Sequence, residues 1–311
     1  VKVEAAAINH LDIWIRKGLP NMILPLPLIL GSDASGAIIE KNGDIGQYSI
    51  GDKVVIQPGT FNLNCDKVLD GNENFSSSYG ILGETQNGVQ SEYVALNIEN
   101  VYPKPSHLSF IESASMQLVF MTAYQMLMRR AKIKEKEKIL IYGGTSGVGS
   151  AAIQIAKHFG GIVYTTVGDV SKIKHAKKMG ADFIYNHNDK DWFLGIKEDL
   201  KDDKIHVVFE HIGADTWNNS LKLLAKGGRI VTCGATTGAD VKINLSHLFI
   251  KQQSILGSTM SNLDSFNKVM KLIEDKVFFP FIDKVYNFSD IKEAHTRVEE
   301  RNQFGKVVLV P

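Results

Sequence analysis

The chain has 311 residues, 44% of them hydrophobic and 22% charged, with 35 Lys and Arg against 34 Asp and Glu. That length fits two globular domains, and a formal charge of +1 leaves no basic tract for nucleic acid and no patch for a membrane surface. Two cysteines, Cys65 and Cys233, exclude a disulfide framework or a thiolate metal cluster; no apolar run reaches the roughly 18 residues of a membrane span, and no signal peptide is visible, so a cytoplasmic enzyme with a small-molecule substrate is expected.

The opening VKVEAAAI reads as a strand already under way, and a segment before Val1 is expected. Through residue 113, short apolar runs recur at 1–8, 37–41, 53–57 and 92–96. Asn42-Gly43, Gly51-Asp52 and Asn87-Gly88 punctuate them as turns. This is a barrel-like or sandwich-like β pattern. A helix follows at 115–130 by its periodic apolar face. Strands are then expected at 139–142, 162–166, 183–185, 207–210, 229–232 and 254–256. Helices are expected between most of them, at 150–159, 171–179, 191–200, 216–224 and 262–275. Alternation of this kind predicts a parallel, doubly wound sheet. Strands at 285–287 and 306–310 around a helix at 291–301 return to the first domain. The expected domains are therefore 1–113 with 276–311, and 114–275.

The most specific signal is KILIYGGTSGVGSAAIQIAK at 138–157. A β-prone run enters a glycine-rich turn, 143–149, and leaves it as a helix. Glycines let the backbone approach a pyrophosphate, and the new helix presents free N–H groups and its positive dipole end. A second strand follows, as a βαβ unit requires. A P-loop is disfavoured, because Val148 and Gly149 stand where Gly-Lys is needed.

Several further segments occur in a telling order: AAAINHLDIWIRKG (5–18), LPLILGSDASG (26–36), IGDKVVIQPG (50–59), YGILGETQNGVQSEYV (79–94), LAKGGRIVTCGATTG (224–238) and FGKVVLVP (304–311). With them the chain resembles the medium-chain dehydrogenase/reductase superfamily, and within it the quinone-oxidoreductase-like members. The resemblance implies an α/β protein: a GroES-like β-barrel catalytic domain, a Rossmann dinucleotide-binding domain, and an active site in the cleft between them.

Zinc-dependent members hold a catalytic zinc by Cys, His and Cys, often with an acidic neighbour. The matching positions here are Asn9, Ser32 and Leu118, with Asp33 at the acidic place, and Leu11 replaces the proton-relay hydroxyl. A catalytic zinc needs three good protein ligands, so none is expected. The structural-zinc lobe at 61–78 matches at Asn62, Cys65, Val68 and Ser76, which also falls short of a closed four-ligand set. The nine histidines show no HxxxH or HExxH pair.

NAD-specific Rossmann domains place an acidic residue after the second strand to hold the ribose 2′-OH. Here that place is Val167, followed by Gly168. Ser171 and Lys172 come next, a hydroxyl and an ammonium suited to a phosphate dianion. The resemblance adds Tyr185 at the 2′-phosphate. NADPH is therefore expected over NADH, unless Asp169 folds back onto the ribose. The other expected cofactor contacts are Gly144, Thr145, Ser146, Gly147, Val148 and Gly149 of the loop, and Thr122, Cys233, Gly234, Ala235, Gly257, Ser258 and Lys306 from the resemblance.

Without zinc, reduction of a simple ketone lacks its Lewis acid. Hydride added to a quinone or an α,β-unsaturated carbonyl, an enoyl thioester included, gives a delocalised oxyanion that hydrogen-bond donors can stabilise. The candidate catalytic residues are Asn9 as donor, His10 toward the pyrophosphate or as a proton source, and Asp12 orienting Asn9 or a water. Asn-x-x-Asp after a strand also serves turn and helix-cap chemistry. A zinc-type alcohol dehydrogenase with atypical ligands and a non-catalytic NADPH-binding protein, as lens crystallins among the relatives are, stay open. The 254–260 strand is expected at a sheet edge, where pairing would give a homodimer or homotetramer.

Overall fold

The computed structural model describes residues 1–18, 23–44, 46–62 and 70–311. The chain divides into two compact units, Val1–Met121 with Ser261–Pro311, and Thr122–Met260.

The first unit contains β1 (Lys2–Ile8), β2 (Asp33–Ala37), β3 (Lys53–Ile56), β4 (Gly59–Thr60), β5 (Gly80–Ile81) and β6 (Val101–Pro103). The second contains β7 (Lys138–Ile141), β8 (Ile162–Val167), β9 (Phe183–Asn186), β10 (Ile205–Glu210), β11 (Leu224–Thr232) and β12 (Ser254–Gly257). The chain then returns to the first unit with β13 (Ile282–Asn287) and β14 (Lys306–Val310). Its main sheet is mixed, in the order β13-β14-β1-β2-β3-β6, and β4 pairs with β5 in a separate ribbon.

The alanine-rich β1 owes its central place to small side chains. Ala5 and Ala7 pack with Ala114 and Val308 on one face. Val3 and Ala6 join Ala34, Val54, Ile56 and Leu82 on the other; alternation separates Ala6 from Ala5 and Ala7, and a register shift between Val3 and Ala5 carries Val3 to the face of Ala6. The run expected as a strand at 92–96 is reduced to a bridge between Tyr93 and Lys2, held by Val3 N–H donating to Glu92 O and Val94 N–H to Val1 O, both 2.9 Å.

The helix Leu263–Glu274 belongs to the first unit, although its place after the alternating elements suggested the second. Asn262 caps it by accepting from Ser265 N–H and donates to Gly71 O at 2.6 Å. Leu263 N–H donates to Glu73, and Tyr102 meets Phe266 edge-on at 4.6 Å. These long-range contacts outweigh sequence order and move the boundaries to 121/122 and 260/261.

The helix Ile291–Glu299 covers this sheet with Ala294 and Val298 against Ile8, Ile13, Val307 and Leu309. His295 is buried beside them, and neither ring nitrogen has a hydrogen-bond partner among the described residues. Burial, with Arg16 nearby, lowers its pKa from the usual 6.5. The unfolded chain therefore takes up a proton near pH 6.5 that the folded ring resists, and stability falls as pH drops below that value. His295→Leu is expected to stabilise by about 1–2 kcal/mol near neutrality. Its melting-temperature advantage should widen between pH 7.5 and 5.5; a constant gap would show that the ring is not held neutral.

In the second unit all neighbours are parallel, in the order β9-β8-β7-β10-β11-β12. This is the doubly wound Rossmann order, with the strand sequence reversing between β7 and β10. Leu140, Tyr164, Val208 and Ile230 make its core, with Trp217 and Leu223 from a covering helix. β12 lies at the edge of the sheet. Among the described residues no helix is long and apolar enough to cross a membrane.

Candidate functional site

The glycine turn lies between the end of β7 and the helix Gly147–His158. Gly144 N–H donates to Thr166 O at 2.9 Å, tying the turn to β8. A Cβ on Gly144 would stand 2.1 Å from Thr165 Oγ1, and one on Gly149 would stand 2.3 Å from Gly143 O. The turn is therefore closed as tightly as backbone allows. Ser146 caps the helix by accepting from Gly149 N–H at 3.0 Å. Gly147 and Val148 carry first-turn N–H groups, which have no intrahelical acceptor, at the positive end of the dipole. Thr145 is buried.

β8 ends at the buried Val167, and no carboxylate stands there or at Gly168. Asp169 turns onto its own 3-10 turn, Val170–Lys172, accepting from Ser171 N–H at 2.8 Å. Its hydrogen bonds with Ser171 hold the carboxyl below its usual range, with Lys172 adding a smaller push. Tyr185, expected at the 2′-phosphate, lies near the end of β9 and is turned toward the helix that follows. Its hydroxyl donates to Asp199 on the helix Trp192–Leu200, and burial followed by that carboxylate raises its pKa far above the ordinary phenol range. The residue against Gly168 is His187. Its N–H donates to Val167 O at 2.9 Å, and a Cβ on Gly168 would lie 3.2 Å from its Nε2. Tyr185 and Phe183, two positions apart on β9, share a face and pack against the core of this unit.

Two hydroxyls of this unit are unsatisfied. Thr122 Oγ1 and Ser258 Oγ are buried without a hydrogen-bond partner among the described residues, a rare condition in native proteins that a ligand relieves. Ser258 N–H donates to Thr232 O at 2.9 Å, and Arg130 Nε donates to Gly257 O at 2.7 Å. Burial pushes the Cys233 thiol up to about 12, with Glu210 adding to the effect, so it is not a thiolate at neutral pH. The Cys233–Gly234–Ala235 turn thus offers backbone rather than sulfur chemistry. An amide-lined turn and two orphaned hydroxyls fit a dinucleotide.

The first unit holds a buried polar cluster. Asn9 follows β1, Asp33 opens β2 and Lys306 opens β14. The ladders pair Ala7 with Asp33 and Ile8 with Val307, which brings the three side chains to one end of adjacent strands. Asn9, Asp33 and Lys306 are 5%, 0% and 4% exposed. Lys306 Nζ donates to Asp33 Oδ2 at 3.0 Å and to Asn9 Oδ1. Asn9 Nδ2 donates to Asp33 Oδ2 at 3.0 Å, while Leu118 N–H donates to Asp33 Oδ1 at 2.8 Å. Lys306, expected among the cofactor contacts, is thus engaged inside this cluster.

The positions matching the catalytic zinc ligands do not suit the metal. Asn9 is held by an ammonium, Ser32 Oγ donates to Leu82 O at 2.8 Å, and Leu118 offers only its backbone N–H. At the structural-zinc lobe, Cys65 and Val68 lie outside the described residues, and Ser76 Oγ is 2.8 Å from Ser78 Oγ. Among the described residues no group of three or more His, Cys, Asp and Glu side chains is placed to hold a metal ion.

Asp12 lies in the first turn of the helix His10–Lys17, its Oδ2 accepting from Asn9 N–H at 2.8 Å and Gln90 Nε2 at 3.2 Å. Its Oδ1 is buried without a partner among the described residues. Burial raises its pKa to about 7, against the lowering pull of the Asn9 N–H bond and Lys306. The His10 ring stands edge-on to Trp14 at 5.1 Å. For Asp12 the folded state holds a proton that the unfolded chain has lost, so this residue's contribution to stability falls as pH rises from about 4 to about 7. Asp12→Asn, which keeps the shape without the charge, is expected to melt above wild type at pH 8 and to lose that advantage near pH 5. Scanning fluorimetry across that range checks it, and parallel pH profiles would contradict the raised pKa.

Residues 1–106 match the model of the alcohol dehydrogenase GroES-like domain, and residues 147–275 match that of the zinc-binding dehydrogenases. A zinc-type alcohol dehydrogenase-like protein of Schizosaccharomyces pombe is 31% identical, covering 99% of this chain and 89% of its own length. A quinone oxidoreductase of Pongo abelii is 27% identical over 100% of this chain and 88% of its own. The crystal structure of an NAD-dependent alcohol dehydrogenase superposes with a TM-score of 0.96 at 38% identity, covering 100% of this chain and 91% of that one.

Proposed function

The chain belongs to the medium-chain dehydrogenase/reductase superfamily, and from that premise we propose that it is an NADPH-dependent reductase of quinones or α,β-unsaturated carbonyl compounds that works without a metal. The observation that carries this reading is the Lys306–Asp33 ion pair with Asn9 lodged in it, where zinc-dependent relatives keep their ligand set. Bound NADPH supplies a hydride. The glycine turn holds its pyrophosphate through backbone N–H groups, and the Thr122 and Ser258 hydroxyls supply polar contacts that the protein itself does not use. The absence of a carboxylate at Val167 and Gly168, with Lys172 in the following turn, supports a 2′-phosphate. Asn9 donates through Nδ2 to the oxyanion formed as hydride reaches the conjugated acceptor, a task for a preorganised amide rather than a Lewis acid. The likeness to a quinone oxidoreductase supports the acceptor class.

A second reading, an NAD-dependent alcohol dehydrogenase, draws on the 38% identical solved structure. One screen separates them. Purified protein is assayed with NADPH and with NADH against a 1,4-naphthoquinone, an enoyl-CoA and a simple ketone, and its zinc content is measured. Turnover of quinone or enoyl-CoA, with NADPH favoured and no stoichiometric zinc, is expected. Turnover of the ketone alone, or one bound zinc per chain, overturns the proposal.

A further inference from the structure

We propose that Lys306 is a positioning residue: paired with Asp33, its ammonium holds the Asn9 side-chain amide in one of its two orientations, so that Nδ2 remains a donor. This rests on the reading of Asn9 as the oxyanion donor. An Asn amide has an accepting end and a donating end of nearly the same shape, and nothing steric distinguishes them. Here a cation and an anion do. Lys306 Nζ faces Oδ1, and Asp33 Oδ2, 3.0 Å from Nδ2, faces the other end. Flipping the amide would set N–H groups against an ammonium and an oxygen against a carboxylate, in a site almost closed to water.

The clamp is itself held. Leu118 N–H occupies Asp33 Oδ1, so only Oδ2 is turned to Asn9 and Lys306. Asn9 N–H is fixed by Asp12. One hydrogen on Nδ2 goes to Asp33, and the second meets no acceptor among the described residues. The arrangement costs two buried charges, which hydrophobic residues of similar size could replace without loss of stability. Orientation of Asn9 is what those charges provide and apolar residues do not.

The resemblance implied a cofactor contact for Lys306, and the two assignments give opposite kinetic signatures. Lys306→Met is compared with the double variant Asp33→Asn with Lys306→Met, which leaves no buried charge unpaired should the single variant fail to fold. Dissociation constants for NADPH are read from nucleotide fluorescence, and kcat and KM from quinone reduction. Exchange of the Asn9 carboxamide protons with solvent is read from nitrogen–proton spectra, with Asn9→Asp identifying the signals. A positioning role predicts a kcat about tenfold lower, the loss of one oriented donor for part of the time, with NADPH binding and quinone KM within about twofold and faster carboxamide exchange. Weakened NADPH binding with unchanged kcat would assign Lys306 to the cofactor and overturn the proposal, as would wild-type kcat in the double variant. If the wild type reduces neither quinone nor enoyl-CoA, the reading of Asn9 as an oxyanion donor fails first; unchanged carboxamide exchange in both variants then overturns the clamp as well.

Discussion

Gly149→Ala is expected to weaken NADPH binding by about 30-fold or more, equivalent to about 2 kcal/mol, the worth of one charge-assisted hydrogen bond. The added methyl would meet Gly143 O at 2.3 Å and Ser146 Oγ at 2.9 Å. The hydroxyl can rotate away, but the carbonyl belongs to the turn itself, so relief requires the turn to open. Opening it moves the first-turn amides of the helix away from the pyrophosphate they are shaped to meet. Gly144→Ala is a different lesion. Its methyl strikes the side chains of Thr165 and Ile153, inside the sheet–helix packing, and the cost falls on folding. Gly257→Ala completes the comparison, because its Cβ would meet nothing within 4 Å. It should leave the melting temperature unchanged, and weaker NADPH binding there would mark ligand in that open space. Titration of NADPH fluorescence with parallel melting curves reads all three. Wild-type affinity in Gly149→Ala would mean that this turn is not the pyrophosphate site.

What could be read from the chain and what could not divide along sequence distance. The strands of the parallel sheet announce themselves because buried β-branched runs and the helices between them are local patterns, and the glycine turn is legible for the same reason. The helix Leu263–Glu274 was misassigned because its allegiance is decided by Gly71, Glu73 and Tyr102, some 160 to 190 positions away. The Asn9–Asp33–Lys306 cluster joins residues up to 297 positions apart. The resemblance pointed to Asn9 and Asp33 through residues that are not the usual zinc ligands, but only the β14-β1-β2 pairing shows how Lys306 joins them. Nothing in the sequence sets His187 beside Gly168, because it stands one place past the end of β9, and the bond from the Tyr185 hydroxyl to Asp199 likewise depends on how the following helix packs. His295 could not be read at all. No pattern distinguishes a histidine buried without partners from one on a solvated helix face.

The most damaging single change to the parallel-sheet unit is expected at Glu210. This carboxylate ends β10, beside the point where the strand order reverses, and is fully buried. Oε1 accepts from Ile212 N–H at 2.7 Å and Gly213 N–H at 3.2 Å, at the start of the helix Ala214–Leu223. Oε2 accepts from Thr216 Oγ1 at 2.9 Å and Ser220 Oγ at 3.1 Å on that helix. One side chain thus serves two amides and two hydroxyls and joins strand to helix, with a negative charge at the helix's positive end. Glu210→Ala removes all four acceptor contacts and opens a cavity, and is expected to cost about 3–5 kcal/mol. Glu210→Gln should cost far less, about 1 kcal/mol. Its oxygen still takes the two amides, and its NH2 group can donate to Thr216 and Ser220, whose hydroxyls rotate to accept and turn their single hydrogens to Gly213 O and Thr216 O, both already within reach. Urea denaturation of the three proteins distinguishes the causes. A large loss in Ala and a small one in Gln means that satisfied hydrogen bonds hold this turn. Equal losses mean that the charge itself does, and the hydrogen-bond account would then be wrong.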